Sequence, residues 1–121
     1  VSIVRGGGHS IGVPLAVSAK YSLIVPSATM TIHPIRMNGT VIGVAQTFQY
    51  FNKVQDRLTN FVVRNSKVKE KRFRELMMET KKIANDVGTV LFGEEAVECG
   101  LIDKVGGISD AMKKIHKMTK N

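Results

Sequence analysis

Gly8-His9-Ser10-Ile11-Gly12 stands just after the apolar run Val1 to Val4, and reads as a strand turning sharply into a helix with a serine at the corner. The glycines permit backbone angles that a β-carbon resists. The helix start leaves unpaired N–H groups beside Ser10 that can stabilise a developing oxyanion. Such a corner is a nucleophile elbow. Five residues with three of them fixed recur by chance, so the reading depends on residues further along the chain.

The next informative segment is Ala28-Thr29-Met30-Thr31-Ile32-His33-Pro34, an alternating, β-branched run that predicts a strand ending at His33, because Pro34 cannot donate to a further ladder bond. An imidazole at a strand terminus can face a cleft while the sheet behind it stays rigid. Asp86 comes later, in Ala84-Asn85-Asp86-Val87-Gly88. Ser10, His33 and Asp86 can serve as nucleophile, general base and the carboxylate that orients the base and stabilises its charged form. The chain order Ser, His, Asp differs from that of chymotrypsin, subtilisin and the α/β-hydrolases.

The segments Gly7-Gly8-His9-Ser10-Ile11-Gly12, Met30 to Pro34, and Glu95-Ala96-Val97-Glu98-Cys99-Gly100-Leu101-Ile102-Asp103 resemble, in order and approximate spacing, the ClpP family of serine proteases. The last run also looks like the wider crotonase superfamily. The resemblance covers nearly the whole chain and implies an α/β, ClpP/crotonase-like fold with short strands, covering helices and a long protruding handle helix. It implies peptide-bond hydrolysis through an acyl-enzyme, with Ser10 attacking, His33 as base and the Ile11 N–H as one oxyanion donor. Pro34, Ile35 and Arg36 match the strand along which family members lay an extended peptide. No cofactor is implied. The implied partners are a peptide or unfolded protein substrate, sister copies in a homo-oligomeric ring, and an ATP-dependent unfoldase.

Counting back from Ala96 without a gap, the family's acid position falls on Gly88. Asp86 takes the role if two extra residues sit in the stretch Gly88 to Gly93, which reads as a glycine-rich turn able to absorb them. Family members also carry βα units upstream of the elbow, including the glycine-rich segment that supplies the second oxyanion donor. The chain is accordingly expected to be one ClpP-like domain, residues 1–121, without its N-terminal βα units. Loss of one oxyanion donor typically lowers turnover by ~10²–10³, so this piece alone is expected to be a poor catalyst.

The composition fits a soluble globular domain with a single core: 121 residues, 43% hydrophobic and 23% charged. No apolar stretch approaches the ~20 residues that span a bilayer, and no secretory pattern is visible, so a cytoplasmic location is expected. The net charge of +8 would suit nucleic acid or an anionic surface. Much of it, however, sits in Lys67 to Arg74 and Lys113 to Lys120, both helical in period with charges on the solvent side, and Phe73 is the one aromatic in either run, too few for the interleaved stacking of single-strand binders. Nucleic acid is therefore not an expected partner. His9, His33, His116 and Cys99 show no metal-ligand spacing, and Cys99 reads as an inert buried thiol.

Along the chain, Ser10 to Ala19 predicts the elbow helix, with Pro14 in its first turn, and Tyr21 to Val25 and Met30 to His33 predict strands. From Val41 the period becomes helical, with Val44, Phe51, Val54, Leu58 and Phe61 on one face through Arg64. This helix is longer than a small domain needs to cover its own core, which matches either a handle between subunits or an ordinary amphipathic helix on a sheet. Phe73, Leu76, Met77 and Thr80 mark another helix, ending before Asn85. Glu94 to Cys99 predicts a short helix closed by Gly100, then a brief strand over Leu101 to Asp103. Ser109 can cap a last helix reaching about Met118.

Other readings of the same residues stay open. Ser10 could simply cap a helix. Lys20, Lys53 or Lys67 could pair with it in a Ser–Lys dyad of the signal-peptide-peptidase kind, although a lysine base needs desolvation and each sits among polar neighbours. A crotonase-type acyl-CoA enzyme or an inactive ring subunit completes the set.

Overall fold

The computed structural model describes residues 1–9, 11–34, 45–79 and 88–120. It is a mixed α/β fold of two small sheets and five helices among the described residues. The chain passes from one sheet to the other twice. β1 (Ser2–Val4) leads through Arg5 and Gly6 into β2 (Gly7–His9), α1 (Gly12–Val17) returns, and β3 (Ser22–Ile24) leads through Val25 to Ala28 into β4 (Thr29–Ile32). β1 and β3 run parallel in the first sheet, β2 and β4 parallel in the second. Backbone bonds from the Val25 N–H to the Val4 carbonyl and from the Thr29 N–H to the Gly6 carbonyl, both 3.0 Å, stitch the two crossings together.

Beyond β4 come α2 (Ala45–Asn65), α3 (Glu70–Met77), β5 (Thr89–Phe92), α4 (Gly93–Glu98), β6 (Lys104–Val105) and α5 (Ile108–Thr119). β6 adds to β3 in parallel, giving the order β1-β3-β6. β5 adds antiparallel to β4, giving β2-β4-β5. β3 is buried along its length, as expected of a central parallel strand, whereas β4 alternates, with Met30 and Ile32 inward. Val13 and Val17 of α1, Val62 of α2 and Phe73 and Leu76 of α3 join these strands in one core.

Several expectations need correction. The glycine-rich run is a strand of its own, and α1 begins at Gly12 with Ile11 as its N-cap, so the Ser10 start of the helix is two residues early. Gly8 and Gly12 do not have positive φ; among the described glycines Gly88 and Gly100 do. The supposed turn over Gly88 to Gly93 is β5, because Thr89-Val90-Leu91-Phe92 are strand formers that pair with β4. Leu101 and Ile102 are buried in bends and the strand comes at Lys104. At α5 the cap is Gly107, whose N–H donates to the Asp110 carboxylate at 2.9 Å, rather than Ser109.

Gly100 closes α4 as expected, with φ +94°. A β-carbon there would stand 2.7 Å from the Lys67 carbonyl carbon, and the Lys67 N–H donates to the Gly100 carbonyl at 2.8 Å. Next in the chain, the Asp103 carboxylate accepts from both the backbone N–H (2.9 Å) and the hydroxyl (3.2 Å) of Ser22, while the Asp103 N–H returns a bond to that hydroxyl at 3.1 Å. The run from Glu95 to Asp103 thus anchors β3 and the end of α2.

Candidate active site

The register of the second sheet gathers the ends of three strands on one edge. His9 lies opposite Thr31, and Ile32 lies opposite Thr89. The chain therefore continues to Ser10 from the end of β2, continues to His33 from the end of parallel β4, and arrives through Gly88 at the start of β5. Of the site residues predicted from sequence, Ile11, His33 and Pro34 are described. Ser10, Ile35, Arg36 and Asp86 lie outside the described residues, as do Thr80, Asn85, Val41 and Val44 of the predicted helices.

His33 is partly buried, and its ring Nδ1 lies 2.7 Å from the Pro34 carbonyl oxygen. A carbonyl only accepts, so this contact is a hydrogen bond in the form of the ring that carries hydrogen on Nδ1. Gly88, on which the ungapped count from Ala96 places the family's acid position, packs against this histidine. A β-carbon at 88 would collide with the Ile32 carbonyl oxygen and stand 3.0 Å from His33 Cβ. Its φ of +136° is a conformation that favours glycine, but a glycine ahead of a turn and one ahead of a strand look alike in sequence.

Beside His33 opens a cavity of about 610 Å³. Ile11 and Pro14 form one wall, Val54, Leu58 and Val62 of α2 another, and Phe73 and Met77 of α3 the floor. The lining is mostly apolar, and its walls come from three helices far apart in the chain, which is why no single sequence stretch announced it. Ile11, the N-cap of α1, is 68% exposed at its rim and caps without a side-chain bond.

The alternatives gain nothing from this geometry. Lys20, Lys53 and Lys67 are all exposed, so none has the desolvation that a lysine base requires. Cys99, at the end of α4, donates to the Ala96 carbonyl at 3.5 Å, and burial pushes its thiol above the ordinary cysteine range. It stays protonated and inert near neutral pH. No cluster of His, Cys, Asp or Glu among the described residues could hold a metal ion. None of the described helices is long and apolar enough to cross a membrane.

The strand-end edge, the glycine-histidine-serine run and the Ala96 to Ile102 segment, with Ala96, Leu101 and Ile102 buried, fit a protein of the Clp protease class, and the chain belongs to the Clp protease family, whose model matches residues 1–109. Among curated proteins it is similar to the Translocation-enhancing protein TepA of Halalkalibacterium halodurans, 52% identical over 118 residues, covering 98% of this chain and 46% of that protein. The chain thus spans about half the length of this relative. Within the family, the run through Pro34, Arg36, Met37 and Val41-Ile42-Gly43 points to the same protein.

Proposed function

We propose that this chain carries the reacting side chains of a ClpP-type serine peptidase, with Ser10 as nucleophile, His33 as general base and Asp86 as the carboxylate that stabilises the imidazolium. The observation that carries the reading is the register, His9 opposite Thr31 and Ile32 opposite Thr89, which leads the chain into all three segments from one sheet edge beside an apolar cavity. Ser10 attacks the scissile carbonyl, Nε2 of His33 takes its proton and returns it to the leaving amine, and water then hydrolyses the acyl-enzyme. The Ile11 N–H shares the oxyanion with a donor from elsewhere in the full-length protein.

The cavity suits an apolar substrate side chain. Backbone pairing with an extended peptide falls to Ile35 and Arg36, because Pro34 has no N–H and its carbonyl already meets His33. α2, 21 residues and about 30 Å long by its rise per residue, is the proposed handle of a ring assembly. Its first buried side chain among those described is Thr59, well past its middle, while Tyr50 is 69% exposed. By analogy with the relative's name, the activity is linked to translocation; as for a Clp protease, protein turnover is the other role it would serve.

A serine-reactive phosphonate tests the mechanism on the full-length protein. Labelling is expected at Ser10, lost in Ser10→Ala and strongly slowed in His33→Ala. A folded wild-type protein that takes no label at Ser10 overturns it.

A further inference from the structure

We propose that Arg74 is a positioning residue that holds the wall helix of the apolar cavity against its floor helix, and so sets the size of side chain the cavity accepts. The inference rests on reading that cavity as the pocket for a substrate side chain. α2 supplies Val54, Leu58 and Val62 to the wall, and α3 supplies Phe73 and Met77 to the floor. Packing holds the two helices unequally. Phe73 and Met77 are buried, and the Thr89 hydroxyl ties the Leu76 carbonyl to the sheet, so α3 is anchored. α2 is buried toward its end, at Thr59 and Val62, whereas Val54 and Gln55 one turn earlier are partly buried and Leu58 is 40% exposed. The part of α2 that forms the wall is thus the part that packing holds least.

An ion network bridges the two helices at this level. Arg74 Nη2 donates to Asp56 Oδ1 at 3.0 Å across the helix pair, and Arg74 Nε and Nη2 both donate to Glu70 Oε1 at 3.2 Å within α3. Asp56 follows Gln55 and Arg74 follows Phe73, and Gln55 and Phe73 both line the cavity, so the bridge stands directly beside it. Glu70, one helical turn before Arg74, holds the guanidinium in place, so less side-chain freedom is lost when it meets Asp56. An isolated exposed pair contributes little, but a planar guanidinium shared by carboxylates on two elements fixes a direction as well as a distance. Without it the wall swings outward. A large side chain then loses contacts along one side, while a small one that never reached the wall loses none.

Hydrolysis by the full-length protein of two peptides, with leucine or alanine on the acyl side of the cleaved bond, tests this. Arg74→Met keeps the apolar stem and removes the fork. It should raise KM for the leucine peptide by ~threefold, the scale of one exposed ion pair, with kcat and the alanine peptide little changed. Asp56→Asn should do the same, and the double variant should be no worse than either single one. High salt should carry wild type toward the variants. A folded Arg74→Met protein with the wild-type KM for the leucine peptide, equal changes for both peptides, or a double variant whose effects add, each overturns the proposal. Hydrogen exchange over Val54 to Thr59, read by mass spectrometry, follows the wall without any turnover. It should be faster in Arg74→Met and in Asp56→Asn than in wild type at low salt, and equal rates also overturn the proposal. If Ser10 takes no phosphonate, the peptidase reading falls and exchange alone decides the role of Arg74; if Ser10 is labelled and KM is unmoved, the role of Arg74 falls and the peptidase reading stands.

Discussion

Thr89 sits opposite Ile32 in the β4–β5 ladder, and its hydroxyl donates to the Leu76 carbonyl of α3 at 2.6 Å. One fully buried residue therefore ties the sheet edge that carries His33 to the helix that floors the cavity. Thr89→Val keeps the shape and the β-branch but orphans a buried carbonyl. An unsatisfied buried acceptor costs about 1–3 kcal/mol, which should appear as a lower urea midpoint with an unchanged m-value. A midpoint equal to wild type would mean that this bond adds nothing to the anchoring of the sheet.

Gly100 holds a different junction. With φ +94° and the Lys67 and Val68 backbone within 2.8 Å of an added β-carbon, Gly100→Ala faces both torsional strain and a collision with main chain that cannot rotate away. The loss should exceed in size the roughly 0.4–1 kcal/mol by which alanine stabilises a glycine site whose backbone angles it can adopt. Thermal unfolding of the variant checks this, and an unchanged midpoint would show that the α2–α4 junction yields easily.

Cys99 makes stability depend on pH in a known direction. Burial, the larger cause, raises its thiol above the ordinary value, so the folded protein binds this proton more tightly than the unfolded chain does. The stabilisation is complete below the unfolded thiol pKa of about 8.5 and is lost as pH rises through the folded value. Cys99→Ser should flatten this alkaline part of the stability profile. Alkylation of Cys99 at mildly alkaline pH should be slower in the folded protein than in urea, and equal rates would contradict the burial.

The elements whose apolar residues recur with a clean period were legible in the sequence. α2 over Ala45–Asn65, the face of α3 through Phe73, Leu76 and Met77, and the β4 strand before Pro34 all follow from local pattern. What the pattern concealed lies where glycine flanks a strand. Gly7-Gly8-His9 looks like a break, yet it is held as β2 by pairing with β4, and a β-carbon at Gly8 would meet only ordinary contacts near 3.4 Å. Thr89 to Phe92 was hidden between Gly88 and Gly93 in the same way. For the site, the strand that ends before His33 was legible, but a cavity walled by α1, α2 and α3 depends on helix packing that no short window encodes. The outer face of α5 shows the same limit: its period marks an amphipathic helix, yet only Ala111 is buried, while Ile108, Met112 and Ile115 are exposed.

α2 offers the test of assembly. Phe51 is partly buried and Leu58 is 40% exposed, and both lie on the helix before or near the point where burial in this chain begins. An apolar residue kept half open on a long helix gains stability when a second surface covers it, at ~25 cal/mol for each Å² removed from water. Phe51→Glu and Leu58→Glu place charges there that a partner would have to desolvate. In the full-length protein both should shift sedimentation toward smaller species while circular dichroism stays that of the folded subunit. The two positions also separate the roles of the helix. Leu58 lines the cavity and Phe51 does not, so Leu58→Glu should in addition raise KM for peptides with large apolar side chains. An assembly unchanged by either substitution would return α2 to the role of an ordinary covering helix.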